Sequence, residues 1–154
     1  MYRQVVLFSG FDASRREGLW ETNGMAGGTR ELAATGGEDN EFTVFNGEVL
    51  FVDANSTTLS HSLWVTDGTT AGTHELSGIS GAYTGAGGFN PSFLTVFSKP
   101  LLHEVLFRAT DASGNIGLWA SDGTVAGTQE LTGITGASSQ PYRHGCPSPG
   151  AGKC

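Results

Sequence analysis

Three glutamates are the residues whose repetition first suggests chemistry. Glu31, Glu75 and Glu130 each stand immediately before a leucine. A pair of carboxylates can hydrolyse a glycoside when the two acids sit in different surroundings, one of them with a raised pKa. Here all three occupy one register of a repeat, so a shared surface or structural role is expected instead. The four histidines, His61, His74, His103 and His144, do not recur in register, and His61 and His74 are expected on loops. The chain has no GxSxG elbow, Walker A loop or HExxH pair. The run Gly85-Ala86-Gly87-Gly88 lacks the Lys-Ser/Thr that a phosphate loop requires and is expected to be linker. Hard oxygen ligands alternate in three stretches: Asp12 and Ser14; Asp53, Asn55 and Ser56; Asp111, Ser113 and Asn115. Calcium is the one cofactor these could take, with Asp12, Asp53 and Asp111 as the carboxylates. Asp, Asn and Ser also form turns by themselves, so the expectation is no metal and no catalytic residue. Cys146 and Cys154, with His144 nearby, make an incomplete zinc set.

The elements that must carry these residues come in threes. Blocks at Gly18–Leu32, Ser62–Leu76 and Gly117–Leu131 share Leu-Trp, then Thr or Ser, then Asp-Gly or Asn-Gly, then Gly-Thr, then Glu-Leu. Trp20, Trp64 and Trp119 each lie 12 residues before the block's final Leu. Upstream, Val6-Leu7-Phe8, Val49-Leu50-Phe51 and Val105-Leu106-Phe107 recur, with 12, 13 and 12 residues from Phe to Trp. Phe42–Phe45 matches Leu94–Phe97. The Trp-to-Trp intervals are 44 and 55 residues, the longer one taking in the Gly-rich stretch 78–90. Unit two reads as four strands, Phe42–Phe45, Glu48–Asp53, Ser62–Thr66 and a last one that begins with Thr73–Leu76. Asn46-Gly47 forms the first turn and Asp67-Gly68 the last. Four short antiparallel strands in sequence make a meander.

The fold class expected is therefore all-β, a tandem array of four-stranded antiparallel meanders. The array covers residues 1–137, in units of about 1–41, 42–93 and 94–137, the first without its leading strand. A tail, 138–154, with three prolines and no apolar periodicity, is expected to be disordered. Asn23, Asp67 and Asp122, followed by Gly24, Gly68 and Gly123, look chosen for turn formation, since Asn and Asp share a tolerance of left-handed backbone. The three tryptophans are expected to fill one equivalent slot between sheets, with sugar stacking by exposed rings as the alternative.

Composition narrows the partners. Gly numbers 24 of 154 residues, well above the usual share, as a chain of tight turns requires. Acids outnumber bases 15 to 8, which disfavours nucleic acid and anionic membrane surfaces. No apolar stretch is long enough to span a bilayer, and the first residues lack a signal-peptide core. The expectation is an internal piece of a longer exported chain, at the cell surface or outside it.

At the repeat blocks the chain resembles the ELWxxDGT repeat family of bacterial proteins. Residues 62–73 and 117–128 carry the motif, and 18–29 is a degenerate copy with Asn23 for Asp and Met25 for Thr. None has the Glu before Leu-Trp; Gly18, Ser62 and Gly117 stand there. The resemblance implies a β-propeller-like array from large secreted or surface proteins, with no catalytic activity attached. The stretch Asp111–Trp119 also resembles the Asp-box of sialidase-type propellers, but its Asp lies eight residues before the Trp, too far for that motif. The expected function is a non-enzymatic structural or adhesive module that presents loops to a protein partner and self-associates through open sheet edges. A carbohydrate-binding module is the alternative, and a glycoside hydrolase fragment stands last.

Overall fold

The computed structural model describes residues 5–37, 41–99 and 102–135. The tail 138–154, with His144, Cys146 and Cys154, lies outside the described residues. Among the described residues, eleven strands form three antiparallel sheets. The first holds β1 (Val6–Phe11), β2 (Glu17–Thr22) and β3 (Arg30–Ala34). The second holds β4 (Thr43–Phe45), β5 (Glu48–Ala54), β6 (His61–Thr66) and β7 (His74–Glu75). The third holds β8 (Ser92–Lys99), β9 (Leu102–Thr110), β10 (Ile116–Ser121) and β11 (Gln129–Glu130). Within every sheet the strands neighbour one another in chain order, so each sheet is a meander.

The strands begin and end where turn chemistry requires. Asn46 and Gly47 both take positive φ, as a tight two-residue hairpin demands. Gly24, Gly68 and Gly123, after the Trp strand of each unit, sit at φ 86°, 81° and 93°. The expected strands of unit two agree with those observed to within one residue at most ends. The last is shorter, because only His74 and Glu75 keep strand geometry before Leu76 bonds back to the Leu63 carbonyl at 2.8 Å. His61 and His74, expected on loops, open β6 and β7 instead.

Register is the same in all three sheets. Phe8 pairs with Trp20, Phe51 with Trp64 and Phe107 with Trp119. Side chains alternate across a strand, so each sheet has a Trp face, carrying that Phe–Trp pair, and a Leu face, carrying Leu19, Leu63 or Leu118. The sheets stack in chain order, Leu face onto Trp face. Leu19 and Leu32 of the first sheet share a buried cluster with Phe51 and Trp64 of the second. Phe45, Leu50, Leu63, Val65 and Leu76 of the second share another with Val105, Phe107, Ala109 and Trp119 of the third.

The stretch 78–90 on either side of the Gly85–Gly88 run contributes to the core. Ile79 and Phe89 are buried in the second cluster, and Phe89 meets Phe107 and Trp119 edge-on at 5.8 and 4.8 Å between ring centroids. Backbone bonds tie it down, from Tyr83 N–H to the Thr110 carbonyl at 3.0 Å and from Thr110 N–H to the Phe89 carbonyl at 2.9 Å.

Candidate functional site

The recurring motif is a hydrogen-bonded turn cassette. The Asp67 carboxylate accepts from the Thr69 amide at 2.8 Å and from the Thr69 hydroxyl at 2.7 Å. The Gly72 amide donates to that hydroxyl oxygen at 3.0 Å, and the Thr73 hydroxyl donates to the Thr69 carbonyl at 2.6 Å. Thr66 and Thr73 hydroxyls meet at 2.6 Å across the neck of the loop, buried. Unit three repeats every bond, with Asp122, Thr124, Gly127, Thr128 and Ser121 in those places. A methyl group at Gly72 or Gly127 would run into the Asp carboxylate, which accounts for glycine there. Unit one keeps the neck, Thr22 to Thr29 at 2.6 Å, and one bond to the Asn23 side chain, from Met25 N–H at 3.1 Å. The Thr29 hydroxyl still donates to the Met25 carbonyl at 2.9 Å, and only the two bonds that a hydroxyl on residue 25 would make are missing.

The hydrogen bonds from Thr69 hold the Asp67 carboxyl below its ordinary pKa. Both bonds fall on Oδ1, so this oxygen of the carboxylate serves to close its own loop.

The three calcium candidates fall into two kinds. Asp12 caps its hairpin loop, Oδ1 accepting from Ser14 N–H at 2.7 Å and Arg16 N–H at 2.9 Å, with the Arg16 guanidinium 2.8 Å from Oδ2. Those backbone bonds from Arg16 lower its pKa, with the Arg16 side chain adding to the effect. Asp111 does the same in unit three, accepting from Ser113 and Asn115 N–H, both at 2.8 Å. Asp53 corrects the alignment. It is a strand residue, wholly buried, and the structural counterpart of Asp12 and Asp111 is Asn55, whose Oδ1 accepts from Thr57 and Thr58 N–H at 2.9 and 3.1 Å. Asp53 instead joins units one and two: its Oδ1 accepts from Gly37 N–H at 3.0 Å and Ala54 N–H at 2.7 Å. Burial pushes this carboxyl above its ordinary pKa, against the pull of those bonds. The three aspartates are not brought together, and among the described residues no group of three or more His, Cys, Asp or Glu could hold a metal.

Nor are the glutamates brought together. Glu31, Glu75 and Glu130 each pair across the sheet with their own unit's Trp. Glu31 folds over Gly18 and Glu130 over Gly117, positions where any side chain would collide with the carboxylate. Glu75 accepts from the Asn55 side-chain amide at 2.7 Å. It lines a crevice of about 210 Å³ with Ser60, Ser62, Ser77, Tyr83 and Phe89. Hydroxyls and one carboxylate suit a polar ligand, but among the described residues no second acid lines this crevice to make a hydrolytic pair.

The tryptophans share register but not surroundings. Trp119 is fully buried, and Trp64 is nearly so, its indole N–H donating to the Asp53 carbonyl at 3.2 Å. Trp20 is half-buried and lies across Gly10, and among the described residues no sheet covers its face. Two features escaped sequence reasoning. One is the Asp53 tether, hidden in a strand. The other is the buried Glu21, 2.7 Å from the half-exposed Arg30 guanidinium, which itself donates to the Gly68 carbonyl of the next unit at 3.2 Å.

Compared with family models, curated proteins and solved structures, the chain matches none.

Proposed function

We propose that this chain is a propeller-like β-repeat module of the ELWxxDGT kind, non-enzymatic, serving in an exported protein as a scaffold that presents loops to a protein partner. The observation that carries this reading is the fate of the motif residues. Trp64, Asp67 and Gly68, and Trp119, Asp122 and Gly123, are all used in packing between sheets or in closing their own turns. A motif spent on scaffold leaves function to the variable loops at the strand ends.

The propeller-like arrangement is supported by how consecutive sheets meet. They stack face to face in chain order, and the leading strands of the second and third sheets, β4 and β8, approach each other. The Glu41 carboxylate accepts from Leu94 N–H at 3.0 Å, and the Thr43 hydroxyl donates to the Leu94 carbonyl at 3.4 Å. Leading strands side by side are what a radial array with a central axis requires.

The carbohydrate reading keeps one platform, the face carrying Trp20 and Phe8, since the other two indoles are buried. An array of glycans and of extracellular-matrix proteins, probed with the intact chain, separates the readings. Saturable binding to a protein with no glycan signal is expected. Glycan binding that disappears in Trp20→Ala would replace the scaffold reading with the carbohydrate one, and turnover of aryl glycosides would overturn the non-enzymatic assignment.

A further inference from the structure

The two outermost faces of this molecule are the two halves of an interface that it already builds twice inside itself. The internal rule is that the Leu face of one unit covers the Trp face of the next. Where the rule is satisfied the counterparts are sealed: Leu19 and Leu63 at 0% exposure, Phe51 at 0% and Phe107 at 1%, Trp119 at 0%. Where it is not, the same register positions are open. On the first sheet Phe8 is 36% exposed and Val6 62%, with Trp20 beside them half-buried. On the third sheet Leu118 is 40% exposed and Ile116 46%.

The turn glycines report the same thing independently. Gly68 approaches Glu21 of the preceding unit and Gly123 approaches Glu48 and Leu50 of the preceding unit. A methyl group at Gly24, their counterpart in unit one, would meet nothing within 4 Å among the described residues.

We propose that the Trp20 face of one copy of this chain stacks on the Leu118 face of a second copy, reproducing across molecules the packing found between its own sheets. The occupant is specified by the molecule itself. Each open face already has a partner of known shape in the same chain, namely the Leu19–Leu32 face for a Trp and the Phe51–Trp64 face for a Leu. One departure from the internal pattern is Arg108, at the register of Val52. Its guanidinium lies over the Phe93 ring, 5.8 Å from the centroid, so its stem can extend the apolar surface while the charge stays wet.

Such a contact is head-to-tail, and head-to-tail contacts either close a ring or grow a filament. Two copies supply six sheets, within the roughly four to eight that close a propeller. The stacking of faces stands on the packing alone; closure with two copies rests on the propeller-like reading above.

Sedimentation velocity of the full chain over micromolar concentrations tests both. The expected result is a species of twice the 16.0 kDa chain mass. Trp20→Glu and Leu118→Glu each block one face only, and each is expected to weaken association by at least about thirty-fold, as loss of a central interface residue does. Phe8→Lys and Ile116→Lys, at exposed positions, serve should the first pair unfold. Mixing the two single-face variants leaves one intact Trp face and one intact Leu face, so a dimer is expected to return in the mixture alone. A monomer for the wild type at every concentration, or an assembly untouched by both variants, overturns the proposal. A dimer lost in only one variant would mean like-to-like pairing and overturns it too. Association that is lost in both variants but passes through masses beyond two copies would keep the stacked faces and overturn the ring.

Discussion

Asp67 and Asp53 show how one residue type does opposite work in one unit. Asp67 is exposed and its Oδ1 accepts two hydrogen bonds from Thr69 of its own loop, so its pKa falls. Asp53 is buried where units one and two join, and its pKa rises. The consequences for acid stability differ in sign. A carboxyl with a lowered pKa supports the fold above the unfolded value and loses that support as pH drops through the folded one. A carboxyl with a raised pKa holds its proton more tightly in the fold. Its contribution is full below the unfolded value, near 3.8, and is lost as pH climbs through the raised one. Asp53→Asn keeps an acceptor for the Gly37 and Ala54 amides and removes the charge. It is expected to raise the melting temperature at pH 7, with the gain shrinking towards pH 4; melts across that range check it. At Asp67 the sequence already offers the control, because unit one uses Asn23. Asp67→Asn is expected to change stability little, whereas Asp67→Ala, which removes the acceptor from the Thr69 amide and hydroxyl, should cost about 1 kcal/mol by chemical denaturation.

The sheets carry the same contrast between position and surroundings. Trp119→Ala would empty a sealed inter-sheet site and should cost about 3–5 kcal/mol. Trp20→Ala, at the same register on a face no other sheet covers, should cost the isolated monomer less, about 2 kcal/mol, since part of the ring stays in water. Equal losses in denaturant melts would mean that something covers Trp20. Phe89→Ala, in the Gly-rich stretch, should resemble a core truncation, about 3 kcal/mol, because the ring is wedged against Phe107 and Trp119. The meanders were legible from turn pairs such as Asn46-Gly47 and from the recurring Val-Leu-Phe and Leu-Trp blocks, which fix both strands and register. Three things were not. Phe89 sits among glycines with no periodicity, so nothing local marks it as core. Asp53 looked like the partner of Asp12 because both precede Ala, but in the shared Phe–Trp register Asn55 stands four residues after Phe51, as Asp12 does after Phe8 and Asp111 after Phe107. The difference between Trp20 and its copies lies in the neighbouring sheet, which a repeat alignment cannot register.

In the whole molecule, stability is a sum of meander terms and two stacking terms, as in any linear repeat array. The middle sheet takes part in both stacks: its Leu50 and Leu63 face the third sheet, while Phe51 and Trp64 face the first. Each outer sheet takes part in one. The first is weaker again, with three described strands against four and with the cross-links of its turn cassette reduced by Met25. Its stack also buries fewer apolar side chains than the one between the second and third sheets, which the Ile79 and Phe89 plug reinforces. A gradient of opening free energy follows, with β5 and β6 nearest the global value and β1–β3 lowest. Native-state hydrogen exchange on monomer, held dilute or blocked at Leu118, should find the slowest amides at Leu50–Val52 and Leu63–Val65. Those of β1–β3 should exchange first, as a group, through loss of the single stack that Leu19 and Leu32 make on Phe51 and Trp64. Because Asp53 accepts from Gly37 at that same junction, Asp53→Asn should slow exchange in β1–β3 at neutral pH while leaving β9 and β10 unchanged. Uniform protection across the three sheets would mean that they open together, and that the chain behaves as one closed cooperative body rather than as a stack with two free ends.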